Sequence, residues 1–329
     1  MSLPLPKALK KALKPTRQWL AVSLAPEQQV VTVKLVTPGA ALDVTANVAV
    51  AALRPFTLRM SLEDPDLVKA LATTPAPRLD RIDGEFGRVI GSMELTQQDT
   101  WKADGISIGL FGITRATHRC ANWPRRAWDT WMYERAVRNV PRDRLLMDPG
   151  AVEQMLVFYL RPRPVYLVSV DDGEHSNIFP MDLVGPLPPE RFTLALRNTS
   201  PSVETIKRAR KVAMAELPGT QGRTAHQLGA HHKRDQVDWS SLPFKTHFSR
   251  RFGLHVPDMA VAIREVEILD FTTVGSHTLF VGRTLVEEET PSNGGRETIP
   301  RLCHTCGANQ RLRSRYKRPF EEALTPDTA

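Results

Sequence analysis

Apolar residues recur along most of this chain with a period of two, the spacing of a strand that buries one face. Alternation or dense β-branched content predicts strands at 30–36 (VVTVKLV), 48–53 (VAVAAL), 56–62 (FTLRMSL) and 165–170 (VYLVSV). Three more are predicted at 192–198 (FTLALRN), 261–269 (VAIREVEIL) and 277–286 (HTLFVGRTLV). Helical spacing appears over 126–140 (RAWDTWMYERAVRNV), 202–217 (SVETIKRARKVAMAEL) and 64–72 (DPDLVKALA), where Asp64 is placed to cap the first turn. Prolines at 161–164 (RPRP), preceded by Asp148-Pro149-Gly150, break both periods and predict a boundary between two halves. Residues 218–238 (PGTQGRTAHQLGAHHKRDQVD) are expected to form a mobile polar loop, and 290–298 (TPSNGGRET) an exposed linker.

The stretch 165–182 (VYLVSVDDGEHSNIFPMD) changes pattern midway. Its strand runs into the turn signal Asp171-Asp172-Gly173, and the return through Ser176 and Asn177 does not resume a simple alternation. Pro180 has no N–H to give a ladder. The expectation is a segment that departs from normal ladder pairing and offers hydroxyl and amide groups instead.

The two halves share a pattern. Phe56-Thr57-Leu58 and Pro65 match Phe192-Thr193-Leu194 and Pro201 at equal spacing, each ahead of a helical stretch. At the strand-to-helix turn the first half carries Leu62-Glu63-Asp64 and the second Asn198-Thr199-Ser200. A helix N-terminus offers unpaired N–H groups and a partial positive charge, so it attracts anions. Glu63 and Asp64 oppose a phosphate, whereas Arg197, Asn198, Thr199, Ser200 and Ser202 suit one. Plain helix capping by the same hydroxyls is the alternative.

Composition narrows the classes. The chain has 329 residues, long enough for two domains, with 41% hydrophobic and 24% charged residues. No apolar run reaches the roughly 18–20 residues that cross a bilayer, and Trp19–Val22 is too short for a signal-peptide core. Lys7, Lys10, Lys11 and Lys14 beside Leu9 and Leu13 suit an amphipathic surface helix. Three cysteines exclude a disulfide framework and, with the missing membrane segments, make a cytoplasmic location the expectation. The net charge of +8 fits an anionic partner, and RLRSRYKR (311–318), with Tyr316 inside it, is the densest basic cluster. Cys303-His304-Thr305-Cys306 has a CxxC spacing that His118 and Cys120 could complete as a zinc set, although a second CxxC is missing. The expectation is no metal. No GxGxxG strand–turn–helix is present, against a Rossmann dinucleotide domain.

Three blocks, in order and spacing, carry a family resemblance: RPVYLVSVDDGEHSNIFPMD, PPERFTLALRNTSPSVETIKRARKVAMAEL and GSHTLFVGRTLVEE. Residues from about 163 to 288 thereby resemble the flavin reductase-like proteins with the FMN-binding split β-barrel. The resemblance implies a mainly β fold with some α, with that barrel in the second half. A degenerate second barrel in the first half is one reading of the repeat; a lid or a docking surface is the other. The domains expected are 1–145, 146–290 for FMN binding, and a basic tail at 291–329.

The resemblance further implies FMN, with FAD as the alternative, and NAD(P)H as co-substrate. Ser176, Asn177, Phe179, Pro180, Met181 and Asp182 would lie along the ring and ribityl chain. Arg197, Asn198, Thr199, Ser200 and either Ser202 or Thr205 would hold the phosphate. His277, in the Gly-x-His stretch, would lie near the ring and the nicotinamide. Ser276 stands where the family usually has aspartate. The expected activity is NAD(P)H:flavin reduction, feeding a partner monooxygenase, in a homodimer or an internal pseudo-dimer. The alternatives are an FMN-binding protein acting on another small substrate without free-flavin turnover, and a basic nucleic-acid-binding protein.

Overall fold

Two antiparallel sheets of seven strands organise the chain, and their strand orders are the same. The structure is a computed structural model that describes residues 20–28, 31–141, 145, 147–289 and 299–306. The basic N-terminal segment, the 290–298 linker and the 311–318 cluster lie outside the described residues.

After β1 (Leu20–Leu24), the first sheet uses β2 (Val31–Thr37), β3 (Ala40–Asp43), β4 (Ala49–Leu53), β5 (Phe56–Ser61), β6 (Arg78–Asp83), β7 (Arg88–Ala103) and β8 (Ile106–His118). Helix α1 (Pro65–Ala72) separates β5 from β6. Helices α2 (Trp123–Val137) and α3 (Val152–Phe158) and the short β9 (Arg163–Pro164) connect the halves. The second sheet uses β10 (Tyr166–Asp171), β11 (Ser176–Met181), β12 (Val184–Leu187), β13 (Arg191–Arg197), β14 (Lys211–Glu216), β17 (Ala262–Val274) and β18 (His277–Glu289). Between its strands lie α4 (Ser202–Ala209), α5 (Gly222–Gln227) and the small β15 (Thr246–Phe248) and β16 (His255–Pro257) hairpin; β19 (Arg301–Thr305) closes the described chain.

The sheet orders are β3-β2-β6-β7-β8-β5-β4 and β11-β10-β14-β17-β18-β13-β12. Every strand of the first has a counterpart in the second, with α1 and α4 at equivalent places. Neither sheet closes on itself. The mainly β expectation holds, and the Phe-Thr-Leu repeat falls on β5 and β13, which occupy the same position in their sheets. One core joins the halves: Leu58, Met60 and Phe111 cluster with Leu187, Ala195, Leu279 and Val281. The pattern explains it, because alternate residues of β2 (Val31, Val33, Leu35) are buried while β4, between both halves, is buried at every position.

Several sequence expectations are corrected. Residues 176–181 keep normal ladder pairing: β11 pairs antiparallel with β10 from Asp171↔Ser176 to Tyr166↔Met181. Pro180 is tolerated because β11 is an edge strand, where a missing N–H costs no ladder bond. The helix read over 202–217 stops at Ala209; Arg210 takes φ 52°, and 211–216 is β14, held between β10 and β17. Pairing on both sides overrides the helical preference of Ala, Met and Glu. Residues 218–238 are not a bare loop, since helical turns there bury Ala225, Leu228, His231 and Val237. Residues 301–305, read as the beginning of a tail, form β19 between β1 and β9, with Cys303 buried. Strands β6 to β8 were not legible, because their long, polar-rich runs hide the alternation.

Candidate functional site

The turn between β13 and α4 opens onto a cleft at the junction of the two halves. Arg197, Asn198 and Thr199 line it from the second half, with Ser276 of the β17–β18 turn. Arg54 and Pro55 of the β4–β5 turn and Asp148 ahead of α3 line it from the other side. Its volume is about 460 Å³. Backbone contacts between the turns fix its floor: Ser276 N–H donates to Arg54 O at 2.7 Å, and Arg54 N–H to Ser276 Oγ at 3.1 Å. Asn198 braces the same turn, its N–H reaching Ser276 O at 3.0 Å and its amide Nδ2 reaching Gly275 O at 3.0 Å. Gly275 has φ +51°, and a Cβ there would stand 2.2 Å from Arg54 O, so only glycine allows this approach.

The charge in the cleft is mostly positive. Arg54 pairs with Asp148 at 3.2 Å, and among the described residues Arg197 has a single carbonyl partner, Leu145 O at 3.3 Å. Burial and the neighbouring Arg54 lower the Arg197 pKa from its usual value, yet a guanidinium stays protonated at neutral pH. Ser200, beside Thr199, is buried, and its Oγ has no partner among the described residues.

His277, beside Ser276, is 1% exposed. Its Nδ1 accepts from Leu53 N–H at 3.4 Å and meets Ser276 Oγ at 2.8 Å. Burial, then Arg197 and His232, push its pKa down to about 3. The ring is therefore neutral at physiological pH, with its proton on Nε2. It is a donor, not a general acid.

The β11 residues face other tasks. Asn177 is buried and fully bonded: Nδ2 reaches Ser202 Oγ, His231 O and Arg234 O at 3.0, 2.9 and 2.8 Å, and Oδ1 accepts from Ile178 N–H. It clamps the crossing segment to the sheet and to the α4 entrance. Ser176 Oγ accepts from Trp239 Nε1 at 3.0 Å. Phe179 and Met181 are core residues, and Phe179 contacts the His232 ring at 4.9 Å, while Pro180 O meets His232 Nε2 at 2.7 Å. Asp182 lies elsewhere, with Tyr159 and His304 each at 2.8 Å. Burial pushes its carboxyl upward, but His304 and Tyr159 outweigh that and hold it below the ordinary carboxylate range. Thr205 is buried in α4.

Of the sequence-selected residues, Arg197, Asn198 and Thr199 meet at the cleft, with Ser200 and His277 adjacent. Ser202 and Asn177 stand behind the turn. Arg54, Pro55 and Asp148 were not singled out. Their only signal was the repeat, which places Arg54-Pro55 at the turn equivalent to the one preceding β13. The zinc set does not assemble: His118 ends β8 with Cys120 just after it, Cys303 lies in β19 with Cys306 just after it, and no group of three or more potential ligands gathers among the described residues.

The cleft therefore sets a cationic strand-to-helix turn at the end of an open, seven-stranded antiparallel sheet, in a mostly β chain. Residues 158–300 match the family model described as flavin reductase like domain. Among solved structures, an FMN-binding protein from Thermus thermophilus with bound p-hydroxybenzaldehyde is 26% identical, aligning over 51% of this chain and 93% of that one, with a TM-score of 0.39. The NADH:FAD oxidoreductase SgcE6 of Streptomyces globisporus is 20% identical over 56% of this chain and 100% of that one, with a TM-score of 0.42. BorF, the flavin reductase component of a bacterial two-component tryptophan halogenase, is 16% identical over 42% and 87%, with a TM-score of 0.38. A search of curated proteins returns no match.

Proposed function

We propose that this protein is an NAD(P)H:flavin oxidoreductase that binds one FMN per chain in the cleft between its halves. The observation that carries the reading is the meeting of Arg197, Asn198 and Thr199, within the segment that matches the flavin reductase like model, with Arg54 of the first half at a cleft of about 460 Å³. The residues fit a flavin phosphate: among the described residues Ser200 Oγ is buried without a partner and Arg197 meets no carboxylate, and the α4 N-terminus supplies backbone donors. Asp148 opposes an anion, but Arg54 neutralises it.

Bound flavin would supply the hydride-accepting ring. Arg197, Thr199 and Ser200 would hold its phosphate, and Asn198 would keep the turn in shape. His277 stays neutral and holds a proton at Nε2 that it can donate as a hydrogen bond. The first half contributes Arg54 and Pro55 to the wall, so the chain assembles internally what a pair of barrels would assemble by association. The proposed domains are 1–145 and 146–290, with 291–329 beyond them. The protein is proposed to act in the cytoplasm and to pass reduced flavin to a partner monooxygenase.

Absorbance of the purified protein and titration of apoprotein with FMN test binding, with one equivalent expected. Two equivalent sites per chain, or none for FMN and FAD alike at micromolar levels, would overturn the reading. NAD(P)H consumption with and without added FMN then separates free-flavin turnover from a flavoprotein acting on another substrate.

A further inference from the structure

A second concentration of positive charge lies away from this cleft, where β5, β6 and the start of β9 meet at the junction of the halves. Arg59, Arg81 and Arg163 are 0%, 1% and 4% exposed, and Arg161 is partly exposed beside them. The geometry brings them together. Arg81 on β6 faces Gly91 on β7, and Gly91 is covered by Leu160 and Val157, so Arg161 follows directly over Arg81. Arg163 and Arg59 both approach Gly185 of β12, their Nη2 atoms 3.0 and 3.4 Å from where a Cβ would stand. Arg59 bonds to Thr193, four residues along β13 from Arg197. At roughly 3.3 Å per residue that is about 13 Å, so the cluster and the cleft are separate places.

The charge is only partly balanced: Asp80 acts on Arg81, Asp43 on Arg161 and Asp182 on Arg163, but none of the three bonds to a guanidinium of the cluster among the described residues. Arg59 gives all its bonds to neutral oxygens: Thr193 Oγ1, Asn47 O, Gly185 O and Pro186 O. Arg163 donates to Val184 O. Arg81 Nε and Nη1, Arg161 Nε and Arg163 Nε are buried without any partner among the described residues. Those carboxylates accept their hydrogen bonds from other groups, Asp80 from Arg78 at 2.8 and 2.9 Å, Asp43 from Thr45 N–H at 2.9 Å and Asp182 from Tyr159 and His304. Burial and mutual repulsion lower Arg59 and Arg81 to about 9 and Arg161 to about 10. Guanidiniums remain charged even so, and unpaired buried charge is costly.

We infer that this cluster is a binding site for a phosphate-class oxyanion, held by Arg81, Arg161 and Arg163 and distinct from the flavin cleft. Unused N–H donors on three guanidinium planes suit a tetrahedral oxyanion with several acceptor oxygens. Arg161, the partly exposed member, is the one through which the cluster reaches solvent. The ligand is inorganic phosphate or the phosphoryl group of a small monoester.

The full-length protein, dialysed free of phosphate, is titrated calorimetrically with inorganic phosphate and with AMP at fixed ionic strength. One equivalent is expected, weakened about tenfold or more in both Arg81→Met and Arg161→Gln. The Arg161→Gln variant keeps the test independent of folding, because its side chain is not fully buried. Tighter binding of AMP than of phosphate identifies a monoester as the source; the reverse order identifies free phosphate. No binding of either, or binding undiminished in both variants, overturns the site. FMN titration is expected to be unchanged in Arg161→Gln. Loss of FMN there would assign the arginines to the flavin and overturn a separate site.

Discussion

Gly275 and His277 show how much single positions decide. Gly275 combines a left-handed backbone with an approach to Arg54 O that leaves no room for a side chain. Gly275→Ala is expected to cost about 1–3 kcal/mol, from the αL penalty and the displaced turn, and to weaken FMN binding along with it. Urea denaturation and flavin titration of the same preparation check both effects. Unaltered stability would show that the two turns do not depend on each other. For His277, the folded pKa of about 3 lies below the ordinary 6.5. Above pH 6.5 the ring is neutral folded or unfolded and contributes no pH dependence. As pH falls from 6.5 toward 3 the unfolded chain takes up the proton first, so stability falls with it. His231 and His232 are shifted down as well, chiefly by burial, and add in the same direction. Melting temperature is therefore expected to decline on acidification through this window. His277→Asn, whose Oδ1 can accept the bonds made to Nδ1, should flatten the decline; an identical slope in both proteins would contradict the assignment.

At the scale of elements, the β10–β11 hairpin and the segment that crosses it form one unit. Asn177 ties β11 to residues 231 and 234 and to Ser202 at the α4 entrance. Asn177→Ala is expected to lose roughly 2–3 kcal/mol and to speed hydrogen exchange across 219–241 more than in β17 and β18. Uniform acceleration in all strands would mean that the clamp is not local. The polar return after Gly173 departs from alternation in the sequence, yet it pairs in full with β10, and the Asn177 amide bonds to carbonyls of its own chain. A buried amide carries the same letter whether it binds a ligand or a loop. The division of 202–217 into α4 and β14 was equally hidden, because Val212, Met214 and Glu216 fit a helix until two neighbouring strands claim them.

Across the whole molecule, Arg59 links the halves. It leaves β5 of the first sheet and spends three of its four bonds on β12 and β13 of the second. Arg59→Met is expected to destabilise the protein by about 3–5 kcal/mol, since it strips donors from buried carbonyls, and to separate one cooperative unfolding transition into two. Calorimetry would read this directly, and a single transition of unchanged midpoint would refute it.

Period-two patterning and a repeated Phe-Thr-Leu…Pro spacing were enough to establish a mainly β chain with like strand-to-helix turns, because side-chain alternation and helix capping are local properties. The contrast between Glu63-Asp64 and Thr199-Ser200 likewise pointed to one turn as the anion-friendly copy. Local rules stop there. Which turn from the first half meets Arg197, whether Asn177 faces a ligand or a carbonyl, and that arginines from three separate stretches of the chain share one buried place were decided by tertiary packing. Pairings between residues more than a hundred positions apart leave no periodic trace in either segment.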